Sequence, residues 1–348
     1  MKIRSLLPAV LLSGSLLFTQ SYAQEDNLSS GTISKVGTSV AQFLKLGVSA
    51  RTIGMGGAFV AIANDVSAIY TNAAGLADLN AYEVMFTHTD WLVDTNLDYG
   101  AFALDLGTAG TFGIMVASFS SGEMPVRTLA FPDGTGEKYE VTSLTTGISY
   151  ARSLTENFAI GFTAKYILER LWHMSASAVA LDVGVLFNTP FWGIRLGAAI
   201  SNFGTSMQLA GRDNKFAYDP DPNNIGNVNI VNSEYEMKSY PLPLLFQVGL
   251  AKDIIFSENN RLTLAVDALH PNDNFESVNT GFEYGWSDLV FIRGGYKSLF
   301  LIDSEQGLTA GVGANIRLGG TVMLKADYAY ADFGRFDNVQ RFTLFLRF

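Results

Sequence analysis

The sequence predicts an all-β fold: a transmembrane barrel of about fourteen antiparallel strands, with an N-terminal segment folded into its lumen. Three observations predict it. The 348-residue chain is apolar, with only 16% charged residues, yet beyond its first residues it has no apolar run long enough for a membrane helix. From Tyr82 to the end it is a train of period-two segments separated by turn signals. The two faces of those segments are not those of a soluble sandwich. One is large and apolar, the other small or charged, which is the division between lipid and lumen.

The first residues read as a targeting signal. Lys2 and Arg4 supply positive charge, Leu6 to Phe18 an apolar stretch, and Ser21-Tyr22-Ala23 a small-residue cleavage site before Gln24. Residues 1–23 are therefore expected to be a Sec-type signal peptide, which carries the rest of the chain out of the cytoplasm. The absence of cysteine excludes disulfides, thiolate metal sites and a cysteine nucleophile. A net charge of −10, scattered along the chain, gives no sign of a nucleic-acid partner, and none is expected.

The alternation is clear in the segment after Asn157. Phe158, Ile160, Phe162, Tyr166 and Leu168 share one face; Ala159, Gly161, Thr163, Lys165 and Glu169 share the other. Val179, Leu181, Val183 and Phe187 stand against Ala180, Asp182 and Gly184 in the same way, as Leu324, Tyr328 and Tyr330 do against Lys325, Asp327 and Ala329. Charges such as Asp267, Glu283, Arg293 and Arg317 fall on the small face. Charge pairing inside a lumen explains them, because a Lys or Arg facing lipid at mid-depth costs about 2–4 kcal/mol. The segments number fourteen: 82–91, 97–107, 110–121, 140–152, 157–170, 176–188, 193–204, 242–254, 261–270, 276–286, 289–298, 307–318, 321–331 and 339–348.

Connection lengths test the count. Alternate connections are all short, while the long ones, including 122–139 and 206–241, fall on the other side, as barrels with short periplasmic turns and long external loops require. Trp91, Trp172, Trp192 and Trp286 fall at strand ends, as aromatic girdles do. The chain closes on Phe342, Leu344, Leu346 and Phe348 in strict alternation. The barrel is thus expected over 82–348 and a plug over 24–81. Within the latter, Thr38 to Leu46 predicts a short helix, and Asp65 an N-cap for another through Tyr70.

The run Ala50-Arg51-Thr52-Ile53-Gly54-Met55-Gly56-Gly57-Ala58-Phe59-Val60-Ala61, with Asn64-Asp65-Val66-Ser67-Ala68-Ile69-Tyr70-Thr71-Asn72-Ala73-Ala74-Gly75-Leu76 after it, resembles the N-terminal signature of the PorV/PorQ family, within the wider FadL-like group of outer-membrane barrels. Gly54, Gly56, Gly57, Asp65, Asn72 and Gly75 match the plug motif. Ala73 departs from it, since FadL-like proteins usually have proline there, and the turn loses some rigidity. The resemblance implies a fourteen-stranded barrel with a plug, located in the bacterial outer membrane.

For function it implies a binding and shuttling component of the type IX secretion system. Its partners would be outer-membrane lipid, secreted cargo proteins held by their C-terminal domains, and a large translocon barrel. No cofactor is implied. The loop candidates for cargo contact are Arg212, Asp213, Lys215, Phe216 and Tyr218, although a long solvated loop explains the same residues. The alternative is FadL-type transport of hydrophobic small molecules, with Met55, Phe59, Phe102 and Phe291 available to line a cavity. An enzyme is not expected. No Gly-x-Ser-x-Gly elbow occurs, and His88, His173 and His270 lie on strands well separated around the barrel.

Overall fold

The computed structural model describes residues 35–221, 223–224 and 230–348; the expected signal peptide and its cleavage site lie outside them. Fourteen long strands form one closed sheet. They are β1 Glu83–Asp90, β2 Asn96–Asp105, β3 Thr111–Ser120, β4 Val141–Thr155, β5 Phe158–Leu171, β6 Met174–Asn188, β7 Ile194–Gly204, β8 Leu245–Ser257, β9 Asn260–Pro271, β10 Ser277–Trp286, β11 Val290–Leu299, β12 Leu308–Gly319, β13 Val322–Asp332 and β14 Asn338–Arg347. Each pairs antiparallel with its neighbour in sequence, and β1 closes the sheet on β14, from Glu83 opposite Arg347 to Asp90 opposite Gln340. Closure leaves no unpaired edge, which a sheet standing in lipid requires.

Alternation decides which way each side chain points. Along β5, Ala159, Gly161, Thr163 and Lys165 are buried while Phe162 and Tyr166 are exposed. Along β14, Val339, Arg341, Thr343 and Phe345 are buried, and Phe342, Leu344, Leu346 and Phe348 are exposed. The outside is therefore an apolar band, the surface a bilayer covers. Phe102, expected to line a cavity, does not. Phe102 stands opposite the exposed Val84 and Ile114, between inward Ala101 and Ala103, so it faces outward and lines no cavity.

One end of the barrel carries short turns, such as the residue pair 258–259 between β8 and β9; the other carries the long connections between β3 and β4 and between β7 and β8. The second of these is not a featureless loop. Lys215–Tyr218 pairs with Val231–Glu234 as a hairpin, and Met207–Gln208 pairs with Ser239–Tyr240.

Residues 40–79 lie against the inward face of the wall. The helix expected over Thr38–Leu46 is a single 3-10 turn, Gln42–Lys45. Two short helices, α1 Ala50–Gly54 and α2 Ala68–Thr71, and a 3-10 turn at Ala73–Asp78 follow. Asp65 is not the N-cap of α2. It folds a turn one step earlier, where its carboxylate accepts the Ser67 amide at 2.9 Å, and Ser67 occupies the cap position.

This segment meets the wall backbone to backbone. Three pairs of glycines face each other across neighbouring strands: Gly161 with Gly184, Gly197 with Gly249, and Gly281 with Gly295. Each pair leaves a hollow in the wall, and each hollow holds main chain: Ala73 and Ala74, with the Asn72 side chain, over the first, Val60 and Ala61 over the second, Met55 and Gly56 over the third. A Cβ on Gly281 would run into the Met55 carbonyl, whereas one on outward Gly100 would meet only a Val116 methyl at 3.6 Å. Gly281→Ala is therefore expected to lower the unfolding free energy by about 1–3 kcal/mol, and Gly100→Ala to leave it nearly unchanged; urea titration of the protein in lipid vesicles reads both.

Candidate functional site

The six motif residues are brought together as the fastenings of the 50–76 segment. Gly56 and Gly57 take φ of 65° and 80°, which only glycine adopts without strain. Gly54 faces Gly311 so closely that a Cβ would lie 3.2 Å from its Cα. A side chain on Gly75 would strike the Ala63 carbonyl. Asn72 donates to the carbonyls of Val60 at 2.8 Å and Val185 at 3.0 Å, and its side-chain oxygen accepts the Ala74 amide at 3.2 Å. It thereby ties two parts of the segment to each other and to β6, and it anchors the turn at Ala73 without a proline.

Asp65 belongs to a charged network. Arg51 reaches Asp65 at 2.8 Å and Glu283 at 2.9 Å. Arg293 also binds Glu283, at 2.7 Å, and reaches Asp327 at 2.6 Å. Glu83 accepts the Val66 amide at 3.0 Å and faces Lys325 at 3.2 Å. Asp267 accepts the amides of Phe59 and Val60 at 2.7 and 2.9 Å. The segment is thus held by β1, β9, β10, β11 and β13 together. Burial alone would push the Asp65 carboxyl up, but Arg51 and Lys325 and the hydrogen bond from Ser67 hold it below the ordinary carboxylate value. Of the other charges expected inside, Lys165 pairs with Asp182 at 2.8 Å, and Glu169 accepts the Ser143 hydroxyl at 3.3 Å and the Ala41 amide.

At the long-loop end the segment is fastened by an apolar cluster, in which Phe43 and Leu44 pack with Ile167, Met207 and Leu242, and by one carboxylate. Asp273 gathers Ser39, Gln42 and Lys45, with the lysine at 3.0 Å. On one side of this anchor lies a cavity of about 430 Å³ lined by Val40, Leu171, Ala176, Met207, Leu209 and Tyr240, with Glu169 and Lys238 among its polar lining residues. On the other lies one of about 340 Å³ with Leu245, Leu269, Phe333 and Phe336 in its lining. Met55, Phe59 and Phe291 line neither; Met55 and Phe59 pack in the main core between segment and wall.

The loop candidates divide into two groups. Arg212 and Asp213 fold onto His173 in the β5–β6 turn, at 2.7 and 3.2 Å. Lys215, Phe216 and Tyr218 stand on the hairpin, where Phe216 stacks on Tyr235 with ring centres 4.6 Å apart. His88 pairs with Asp98 at 2.7 Å and His270 with Glu276 at 2.9 Å. The histidines are thus held by different carboxylates, and no cluster able to hold a metal ion occurs among the described residues.

Two outcomes follow from the network. Glu283→Gln leaves Arg51 and Arg293 without their shared carboxylate and is expected to cost about 3–5 kcal/mol in urea unfolding. The depressed Asp65 carboxyl contributes stability above its unfolded value of about 4, and loses it as pH falls through the lower folded value. Amide hydrogen exchange over residues 50–66 is therefore expected to quicken, relative to intrinsic rates, only below about pH 4, and in Asp65→Asn already at neutral pH.

A family model described as Uncharacterised protein family (UPF0164) matches residues 19–171. Comparison with curated proteins finds no match. Among solved structures, the CymD monoaromatic hydrocarbon channel is 11% identical with a TM-score of 0.53, over 86% of this chain and 96% of that one. The Ralstonia pickettii toluene transporter TbuX is 13% identical with a TM-score of 0.51, over 86% and 97%. A Pseudomonas aeruginosa FadL homologue is 11% identical, also at 0.51, over 86% and 98%. At such identities the likeness is one of fold, and the fold of this chain is that of the FadL-like fourteen-stranded barrels.

Proposed function

We propose that the protein is a bacterial outer-membrane channel that admits apolar small molecules at its long-loop end, with the described part of the expected 24–81 plug, residues 35–81, as its plug; residues 24–34 lie outside the described residues. The observation that carries this reading is the apolar cavity of about 430 Å³ between Val40 of the segment, Ala176 on the wall and Met207 of the long loop. It falls in the size range of small-molecule sites and has their character, an apolar lining with a few polar groups at its edge. The names of two similar barrels, a monoaromatic hydrocarbon channel and a toluene transporter, agree with it.

One observation favours a second reading. The hairpin Lys215–Tyr218 with Val231–Glu234 presents Phe216, Tyr218 and Tyr235 to solvent. Exposed aromatics on a projecting element suit recognition of another protein. With the PorV/PorQ-like motif, this keeps cargo handling in a type IX secretion system as the competing role.

The two readings separate by experiment. Cells expressing the protein are expected to take up a labelled monoaromatic hydrocarbon faster than cells without it, and Ala176→Trp, which fills the cavity, to abolish most of the gain. Deletion of residues 214–235 is expected to leave uptake intact. Uptake indifferent to Ala176→Trp, together with secreted proteins sharing a C-terminal domain on the barrel purified from its native membrane, would replace the channel by the cargo carrier.

A further inference from the structure

We propose that the short-turn end of the lumen holds a binding site for an oxyanion, a carboxylate or a phosphate group. The site is a cavity of about 270 Å³ bounded by the charged network on one side and by the ends of β9, β12 and β14 on the other. Six cationic side chains line it against four carboxylates, in a protein whose net charge is −10.

The pairing within that set decides the matter. The inner carboxylates are committed. Asp65 is bound by Arg51, Glu283 by Arg51 and Arg293, and Asp327 by Arg293, all at 2.6–2.9 Å. The outer cations are not. Arg261 lies 3.7 Å from the already shared Glu283 and 4.0 Å from Asp288, which is 81% exposed at the rim. Arg347 lies 3.8 Å from Glu83, which Lys325 holds more closely at 3.2 Å. Arg317 has no ion pair among the described residues. The Nε of Arg261 is buried without a hydrogen-bond partner.

Three guanidinium groups from three strands thus share one wet cavity, none with a carboxylate at hydrogen-bonding distance. A guanidinium presents a planar fork of donors that fits the two oxygens of a carboxylate or phosphate. Positive charge gathered in a cleft with low-dielectric walls draws such groups in. The volume suits one anionic head group with water rather than a whole drug-sized ligand. The site stands on its own pairing pattern and not on the apolar cavity at the opposite end, so either proposal survives failure of the other.

Titration calorimetry of the whole protein in a neutral detergent tests it, with inorganic phosphate, acetate and octanoate as probes against chloride at fixed ionic strength. Saturable binding of at least one oxyanion is expected, weakened about tenfold by Arg317→Gln and also by Arg261→Gln. Arg317 makes no ion pair, so its variant is expected to unfold like the parent protein, and lost affinity cannot be assigned to misfolding. Octanoate binding more tightly than acetate identifies the carboxylate of an apolar acid; phosphate binding more tightly than both identifies a phosphate source. No saturable binding by any probe, or affinity unchanged in both variants, overturns the proposal.

Discussion

The rest of this structure depends on main chain meeting main chain at three hollows in the wall. A cross-strand pair of glycines removes two side chains at one point of the inner surface, and the 54–74 segment lies directly on Gly161/Gly184, Gly197/Gly249 and Gly281/Gly295. Interior packing leaves no slack for a methyl group at such places. The three hollows are spread around the barrel from β5 to β11, so the segment is located on several sides at once. Its own glycines are the complement. Gly54 and Gly56 permit the same close approach from the inside, and Gly56 and Gly57 turn the chain where α1 ends.

Contact this close would strand polar groups, and the charged side chains of the wall answer that. Amides of Phe59, Val60 and Val66 reach wall carboxylates, and the Ala50 amide reaches the Thr343 hydroxyl at 2.9 Å. A buried carboxylate costs several kcal/mol to desolvate unless donors surround it, and here the donors are the free amides of a segment with little regular structure of its own. Lipid outside forbids these charges on the outer face, and the segment inside needs them. One alternation satisfies both, which is why Asp267, Glu283, Arg293 and Asp327 sit on the glycine-bearing face.

Much of this was legible. The strand count, the inward direction of Lys165, Glu283 and Arg293, and the ordering of short and long connections all follow from period two and turn residues, because a closed barrel leaves each strand only two faces. The glycines were visible as small residues. Their pairing was not, because it depends on register between strands, and bulges such as those at Ser153/Thr155 and Leu181/Val183 shift register without a sequence mark. The side chain of Phe102 suits a cavity by size, but its parity against Ala101 and Ala103 turns it outward. The role of Asp65 is not legible, because its partner, Arg51, lies fourteen residues away in sequence and across a turn. The hairpin at Lys215 could not be read either, since its strands of four residues are too short to show alternation.

The segment is not fastened in the same way along its length. Residues 50–76 are held by glycine hollows and buried ion pairs, so displacing them breaks many contacts at once. Residues 39–47 are held by Asp273 and by burial of Ala41, Phe43 and Leu44 against Ile167, Ala178, Met207 and Leu242. A small cavity of about 80 Å³, lined by Leu44, Lys45, Gly47, Lys297 and others, lies deeper than the 340 Å³ one and shares Lys45 and Lys297 with it. The Lys45–Asp273 pair is largely buried and reinforced by Ser39 and Gln42, whereas Glu283 is shared by two arginines. The two parts of the segment are thus fastened by different means, 50–76 by glycine hollows and a shared charged network, 39–47 by an apolar cluster and one carboxylate.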